Sequence, residues 1–402
     1  MAELSETDRL NRLLGLCARP RPNPEQQRCL RALAGQVVDW TGLPDLAERQ
    51  GVGPLAHFHL KAAGVELPAP VRRALQGVYL QFRDANAVRS QALAELLAAF
   101  HSAGIDCMAL KGGALAHLIY PEPGLRTMRD LDLLVRRADL PRARGVLEGL
   151  GYKVPPDDSQ AAHYHHLPSA SKRQGGVLVS VEVHYKLFPT TRYYTTVVLD
   201  DLLPRALAFE AAGQPALAPG PEDLFWYAYR HALGPPLLAT PLRFIWLADL
   251  AGLAEQFVER LDWAQIARRC PAAVQALPML QALSPGPEDI AARLPLRSLP
   301  EPAGLGQDYS GWPRRSPPAH LPQGEGASPS PPAHLPWGEG GRTARLVATL
   351  WPGEWWLRLF YGAGDSTGYW SARLLRHPVH LLEWLVHFGL EKIRRPGVFS
   401  VD

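Results

Sequence analysis

The chain has 402 residues, of which 47% are hydrophobic and 20% are charged, as in a globular protein of about two to three domains. The net charge of +3 is too small to indicate a nucleic-acid partner, so polynucleotide substrates are not favoured. The four cysteines lack metal-ligand or redox spacing, the N-terminus lacks a secretory signal, and no apolar stretch reaches the ~20 residues of a membrane span. We therefore expect reduced thiols, no transmembrane segment and a cytoplasmic location.

Residues 1–104 are predicted to form a helical lead-in module. Its last helix should carry an apolar stripe between Leu93 and Phe100, with an N-cap at Asn86 and a stop at Gly104. Residues 105–190 alternate between strand and helix patterns and are predicted to form a small mixed β-sheet core. The expected elements, in chain order, are a strand at 105–110, a short helix at 114–120, a strand at 128–135, a helix at 140–150 and a hairpin within 163–187 that turns at 174–176.

Three further segments follow this core. Residues 191–299 are predicted to form a helical module. In 300–341, Pro and Gly supply 18 of 42 residues, and an eleven-residue sequence is repeated with one difference, which predicts a linker without a packed core. Residues 342–402 form a Trp-rich tail that we expect to be helical and to pack on the body; lying on a membrane surface or binding a partner is the alternative.

The run Met128–Val135 contains Asp130-Leu131-Asp132 and alternates like a half-buried strand. Both carboxylates should then face one side, roughly 6.6 Å apart along the strand. A surface strand with two solvated acids would give the same pattern. The chemistry that needs two such acids is phosphoryl or nucleotidyl transfer, where a pair of Mg²⁺ ions bridges them to a triphosphate. The sequence shows no obvious protein cation between the acids, so an Asn at either position should change stability by only about 0.5 kcal/mol.

A two-metal site needs a third carboxylate, and Glu182 is the candidate. It lies on the polar face of a strand whose other face is all valine, although this is also the pattern of a solvated hairpin. His184 shares that face and could contact a phosphate or an acceptor. The histidines at 163, 165 and 166 divide between two faces, so zinc is not expected there.

Phosphates also need backbone donors, and Lys111-Gly112-Gly113 offers them between a strand and a helix. Lys111 would add a point charge, and Arg126 on the following loop could clamp a phosphate with two hydrogen bonds. The order Lys-Gly-Gly does not match a P-loop, so a Walker-type ATPase is not indicated.

Together these motifs resemble the DNA polymerase β-like nucleotidyltransferase superfamily, and within it a family of uncharacterised bacterial nucleotidyltransferases. The resemblance covers about residues 35–285. It is carried by the residues Leu110-Lys111-Gly112-Gly113-Ala114, Tyr120-Pro121, Arg126, Asp130-Leu131-Asp132-Leu133-Leu134-Val135, Gly151-Tyr152 and Glu182-Val183-His184. It implies an α+β fold, with a small mixed β-sheet nucleotidyltransferase core flanked by N- and C-terminal helical modules.

The resemblance also implies an enzyme that moves a nucleoside monophosphate from an NTP to a hydroxyl and releases pyrophosphate. Asp130, Asp132 and Glu182 would bind Mg²⁺ (or Mn²⁺), and Glu182 would also align or deprotonate the acceptor. The triphosphate would be held by Lys111, Gly112, Gly113 and Arg126. The acceptor, a small molecule or a protein side chain that receives AMP, stays open. A rival reading is a non-catalytic adaptor that keeps the fold and acts through its Trp-rich tail; only an enzyme requires the three acids to meet at one place.

Overall fold

The structure, a computed structural model, describes residues 5–156, 165–188, 197–232 and 243–294. In the C-terminal region it also describes 350–352, 357, 360–361, 363, 366–382 and 386. The predicted linker at 300–341 and His163 lie outside the described residues. Residues 105–156 and 165–188, which carry the predicted site, are therefore described almost in full.

Five helices precede the sheet: α1 (Glu6–Leu16), α2 (Pro24–Ala34), α3 (Leu43–Arg49), α4 (Gly53–Ala62) and α5 (Ala69–Ser102). The expected stop is confirmed, because Gly104 has a φ of +65° just after the end of α5. The expected N-cap at Asn86 is wrong, because α5 runs straight through this residue. Asn86 is buried, and its amide donates 2.8 Å hydrogen bonds to the carbonyl oxygens of Pro123 and Arg126. Asn86 therefore anchors the loop that leads into the acidic strand.

The sheet has four strands in the order β1-β2-β4-β3, namely β1 (Cys107–Leu110), β2 (Asp130–Val135), β3 (Ala170–Gln174) and β4 (Val177–His184). β2 and β4 are parallel, whereas the other two pairs are antiparallel. The helices α6 (Lys111–Leu118) and α7 (Leu140–Gly149) follow β1 and β2. The predicted hairpin turn is confirmed, since Gly175 and Gly176 both have positive φ angles. The predicted α+β class with a small mixed sheet is confirmed.

A second, two-stranded sheet follows, formed by β5 (Leu207–Ala211) and β6 (Gln214–Ala218). The expectation of helices throughout 191–299 is therefore wrong for this stretch. The chain turns at Ala212 and Gly213, which have φ angles of +47° and +83°. The remaining elements are helical: α8 (Leu199–Leu202), α9 (Pro221–Ala232), α10 (Phe244–Gln256), α11 (Trp263–Arg269), α12 (Pro271–Gln275), α13 (Leu277–Leu283) and α14 (Glu288–Ala291).

One hydrophobic core joins the first helices, the four-stranded sheet and the later helices, and it extends from Leu10 to Leu294. In the tail, α15 (Ser366–Ser371) continues into a π-helical turn, and a small second cluster forms around Leu357 and Tyr361. Phe360 packs against both clusters. All four cysteines are unpaired. Within the described ranges, no helix is long and apolar enough to span a membrane.

Candidate active site

The acids meet because of the register between β2 and β4. These parallel strands pair Asp130 with Ser180, Asp132 with Glu182, and Leu134 with His184. Paired residues on neighbouring strands point to the same face of a sheet, so Glu182 shares the face of the two aspartates. The sequence-based prediction that the Glu182 strand runs beside the Asp130 strand is confirmed by this register.

Asp132 lies at the centre of the site and is 1% exposed. Its Oδ1 accepts hydrogen bonds from Lys111 Nζ at 2.7 Å and from His184 Nε2 at 2.8 Å. Lys111 reaches it because β1 is antiparallel to β2 and pairs Leu110 with Asp132, so the next residue emerges beside the carboxylate. The expectation that no protein cation lies at the two aspartates is therefore wrong. Asp132 Oδ2 is buried and has no hydrogen-bond partner among the described residues.

The two aspartates differ in their electrostatics. Burial opposes ionisation of Asp132, but Lys111 and the hydrogen bond from His184 outweigh it and hold the pKa of Asp132 well below its usual range. Asp132 in turn raises the pKa of Lys111 against the effect of burial. No side-chain hydrogen bond or ion pair to Asp130 is found among the described residues, and burial together with the charge of Asp132 outweighs the effect of Lys111 and raises the pKa of Asp130 from 3.8 to about 6. Ionised Asp130 is therefore the member of the pair that a further cation would stabilise most.

Glu182 and His184 complete the face. The Glu182 side chain is 23% exposed, and His184 Nε2 lies 3.6 Å from its Oε2. Burial would raise the pKa of Glu182, but His184 lowers it overall. Burial would lower the pKa of His184, yet the two carboxylates raise it overall. The ligand atoms of Asp132, Glu182 and His184 all lie within 4.8 Å of one another, so these three side chains could hold one metal ion.

The turn between β1 and α6 contains Lys111, Gly112 and Gly113, which were predicted to hold phosphates. Lys111 has a φ of +41°, a strained conformation for a residue with a side chain. A Cβ atom on Gly112 would lie 2.5 Å from Arg126 Nη1 and 2.9 Å from Met128 Cβ. The missing side chain of Gly112 therefore makes room for the side chains of Arg126 and Met128. The N-terminus of α6 has no side-chain cap among the described residues, which leaves its backbone N–H groups as the donors of this turn.

Arg126 is paired with a carboxylate other than the three predicted acids, that of Asp249. It is 5% exposed, and its guanidinium makes two hydrogen bonds to the Asp249 carboxylate, from Nε at 2.9 Å and from Nη2 at 2.7 Å. Tyr120 also donates to Asp249, at 2.7 Å. Asp249 thus occupies the edge of the guanidinium that a phosphate would need, so we assign Arg126 a structural role in place of the predicted one.

Three contacts in this region are not predicted from the sequence: His184 with Asp132, Asp249 with Arg126, and Asn86 with the loop that follows α6. Glu182 and His184 share one face of a strand, a signal that could have linked His184 to the acids. The rings of His165 and His166 lie 5.1 and 5.0 Å from that of His184, so these histidines stand beside the acids without joining the group of three ligands.

Comparison with known proteins identifies the class. Residues 36–284 match the model of a family described as uncharacterised nucleotidyltransferase, and the chain belongs to this family. It is therefore a nucleotidyltransferase, and the predicted resemblance is confirmed. No curated protein matches the chain.

Three solved structures are similar to part of the chain. The solution structure of the antibiotic-resistance factor ANT(2'')-Ia is 15% identical, with a TM-score of 0.31, covering 47% of this chain and 91% of that one. The crystal structure of ANT(2'')-Ia in complex with adenylyl-2''-tobramycin is 16% identical, with a TM-score of 0.27, covering 52% of this chain and 97% of that one. The crystal structure of an antigenic nucleotidyltransferase-like protein from Paracoccidioides brasiliensis is 17% identical, with a TM-score of 0.31, covering 47% of this chain and 92% of that one.

Proposed function

We propose that this protein uses a divalent cation to transfer a nucleoside monophosphate from an NTP to a hydroxyl acceptor, with release of pyrophosphate. One observation carries the proposal: Asp130, Asp132 and Glu182 lie on one face of two paired strands. The buried Asp132 Oδ2, which lacks a partner among the described residues, adds to it because such an oxygen is costly unless a cation or donor reaches it. The adaptor reading gives no reason for these acids to meet.

Asp130, Asp132 and Glu182 would hold the cation, which supplies positive charge to the phosphates and to the attacking oxygen. In the reaction, the acceptor oxygen bonds to the α-phosphorus, the bond from that phosphorus to the bridging oxygen breaks, and pyrophosphate leaves. The hydroxyl proton passes to the carboxylate of Glu182, whose partial exposure gives it access to an acceptor. Lys111 and the N–H groups of Gly112 and Gly113 would hold the triphosphate at the N-terminus of α6.

A cytoplasmic location is part of the proposal. Unpaired cysteines, as found here at four positions, are the form that reducing compartments maintain.

The test compares Glu182→Gln with Glu95→Gln. Glu95 lies on α5, where its carboxylate accepts a hydrogen bond from Gln174, outside the proposed machinery. We expect Glu182→Gln to slow transfer about a thousandfold, or roughly 4 kcal/mol of transition-state stabilisation, while NTP binding weakens far less. Glu95→Gln should keep the wild-type rate. Equal rates for both variants would remove Glu182 from the catalytic role.

A further inference from the structure

The third residue beside Asp132 and Glu182 is a histidine, which an all-oxygen magnesium site would not require. His184 Nε2 is 2.8 Å from Asp132 Oδ1 and 3.6 Å from Glu182 Oε2. The imidazole nitrogen therefore lies between two carboxylates, at a distance from both that a small cation could bridge. This inference rests on the proposed function and concerns the identity of its metal.

Two observations indicate that a ligand belongs at this point. Asp132 is 1% exposed, and its Oδ2 has no hydrogen-bond partner among the described residues. Buried polar atoms are rarely left unsatisfied, and an ion is one of the groups that satisfies them. The same three side chains place their ligand atoms within 4.8 Å of one another.

The donor set decides which ion fits. Mg²⁺ prefers oxygen ligands in a near-ideal octahedron and keeps several of its waters. An imidazole nitrogen with carboxylate oxygens suits first-row transition ions instead. We infer that His184 is a metal ligand together with Asp132 and Glu182, and that this site takes a first-row divalent transition ion in preference to Mg²⁺.

A positioning role for His184 would have different consequences. In that case the imidazole would only donate to Asp132 Oδ1 and hold the carboxylate in place. The metal would then contact oxygen alone, and replacing His184 would weaken the binding of all divalent ions to a similar degree. If His184 ligates the metal through nitrogen, replacing it should instead weaken the binding of transition ions selectively.

The test uses the full-length protein, stripped of metal with a chelator and loaded with Mn²⁺ as the probe. Electron paramagnetic resonance counts the bound Mn²⁺, and electron spin-echo modulation detects a nitrogen atom in direct contact with it. We expect one nitrogen coupling in the wild type, and displacement of Mn²⁺ by Mg²⁺ only at a large excess, about tenfold or more. This measurement needs no variant, so a misfolded mutant cannot obscure it.

Two matched variants show which histidine supplies the nitrogen that is coupled to Mn²⁺. His184→Gln should lose the coupling and bring the Mn²⁺ and Mg²⁺ affinities together, whereas His166→Gln, altered at a neighbouring ring, should keep both properties. Bound Mn²⁺ without nitrogen coupling would overturn the inference and leave metal-dependent transfer standing. A coupling that disappears in His166→Gln but persists in His184→Gln would overturn the assignment to His184. A wild type that binds no Mn²⁺ would overturn this inference and the metal dependence of the reaction together.

Discussion

The two aspartates of the acidic strand should respond in opposite directions to the same substitution. Asp132→Asn removes the charge that Lys111 and His184 contact at 2.7 and 2.8 Å, and it leaves a largely buried ammonium without its partner. Removing one member of a buried ion pair costs about 3–5 kcal/mol. Asp130 and Glu182 also interact electrostatically with Lys111 and compensate part of this, so we expect a loss of about 2–3 kcal/mol.

Asp130→Asn should instead stabilise the metal-free protein at neutral pH. The pKa of Asp130 is raised from 3.8 to about 6, which at 1.36 kcal/mol per unit gives an upper limit of about 3 kcal/mol for the penalty of its charge. Asp130 is only partly buried, and solvent screens its charge, so we expect a gain of about 1–2 kcal/mol. Because the folded state binds this proton more tightly, wild-type stability falls as the pH rises from about 4 to 6. The advantage of Asp130→Asn should therefore be full above pH 6 and vanish below pH 4.

Thermal melts in chelator at pH 4, 5.5 and 7.5 would test both substitutions. We expect Asp132→Asn to melt below the wild type and Asp130→Asn to melt above it at pH 7.5. Equal melting temperatures for the two variants would refute the electrostatic difference between the aspartates. Adding Mn²⁺ should then raise the melting temperature of the wild type more than that of either variant, because each variant lacks one of the carboxylates proposed to hold the ion.

Two further predictions concern the support of the site. Gly112→Ala should destabilise the protein by about 1–3 kcal/mol, because its Cβ would clash with Arg126 and Met128. Gly113→Ala should be neutral or stabilising, since the nearest neighbours of its Cβ would lie 3.8 Å away. Urea melts of both variants would measure the difference. Asp249→Ala should cost about 3–5 kcal/mol in the same assay because it leaves Arg126 buried without its carboxylate, and a loss under 1 kcal/mol would contradict a structural ion pair.

Local patterns predicted the sheet and the shared face of the acids. The alternation in β2 and β4 was strong enough to assign both faces, and Gly175-Gly176 marked the turn between β3 and β4. The β5–β6 hairpin was missed because Ala212-Gly213 is a weaker turn signal than Asn-Gly, and because Pro215 is unusual inside a strand.

Contacts between distant parts of the chain could not be predicted. Arg126 had the residue type and position of a phosphate clamp, and only the packing of α10 against its loop brings Asp249 to the guanidinium. Asn86 had the residue type of an N-cap, but tertiary hydrogen bonds to the loop carbonyls of Pro123 and Arg126 override that preference. The pairing of Lys111 with Asp132 depends on the register of β1 against β2, which the sequence alone does not fix.

That these acids support nucleotidyl transfer is a claim that the fate of the two ends of an NTP can test. Purified protein would be incubated with each NTP, labelled either at the α- or at the γ-phosphate, with Mg²⁺ or Mn²⁺ and with a cell extract as the source of acceptor. We predict that α-label appears on an acceptor while γ-label appears in pyrophosphate, and that a chelator or Asp132→Asn abolishes both. Release of γ-label as single phosphate with no transfer of α-label, or no reaction with any NTP under either metal, would contradict the claim.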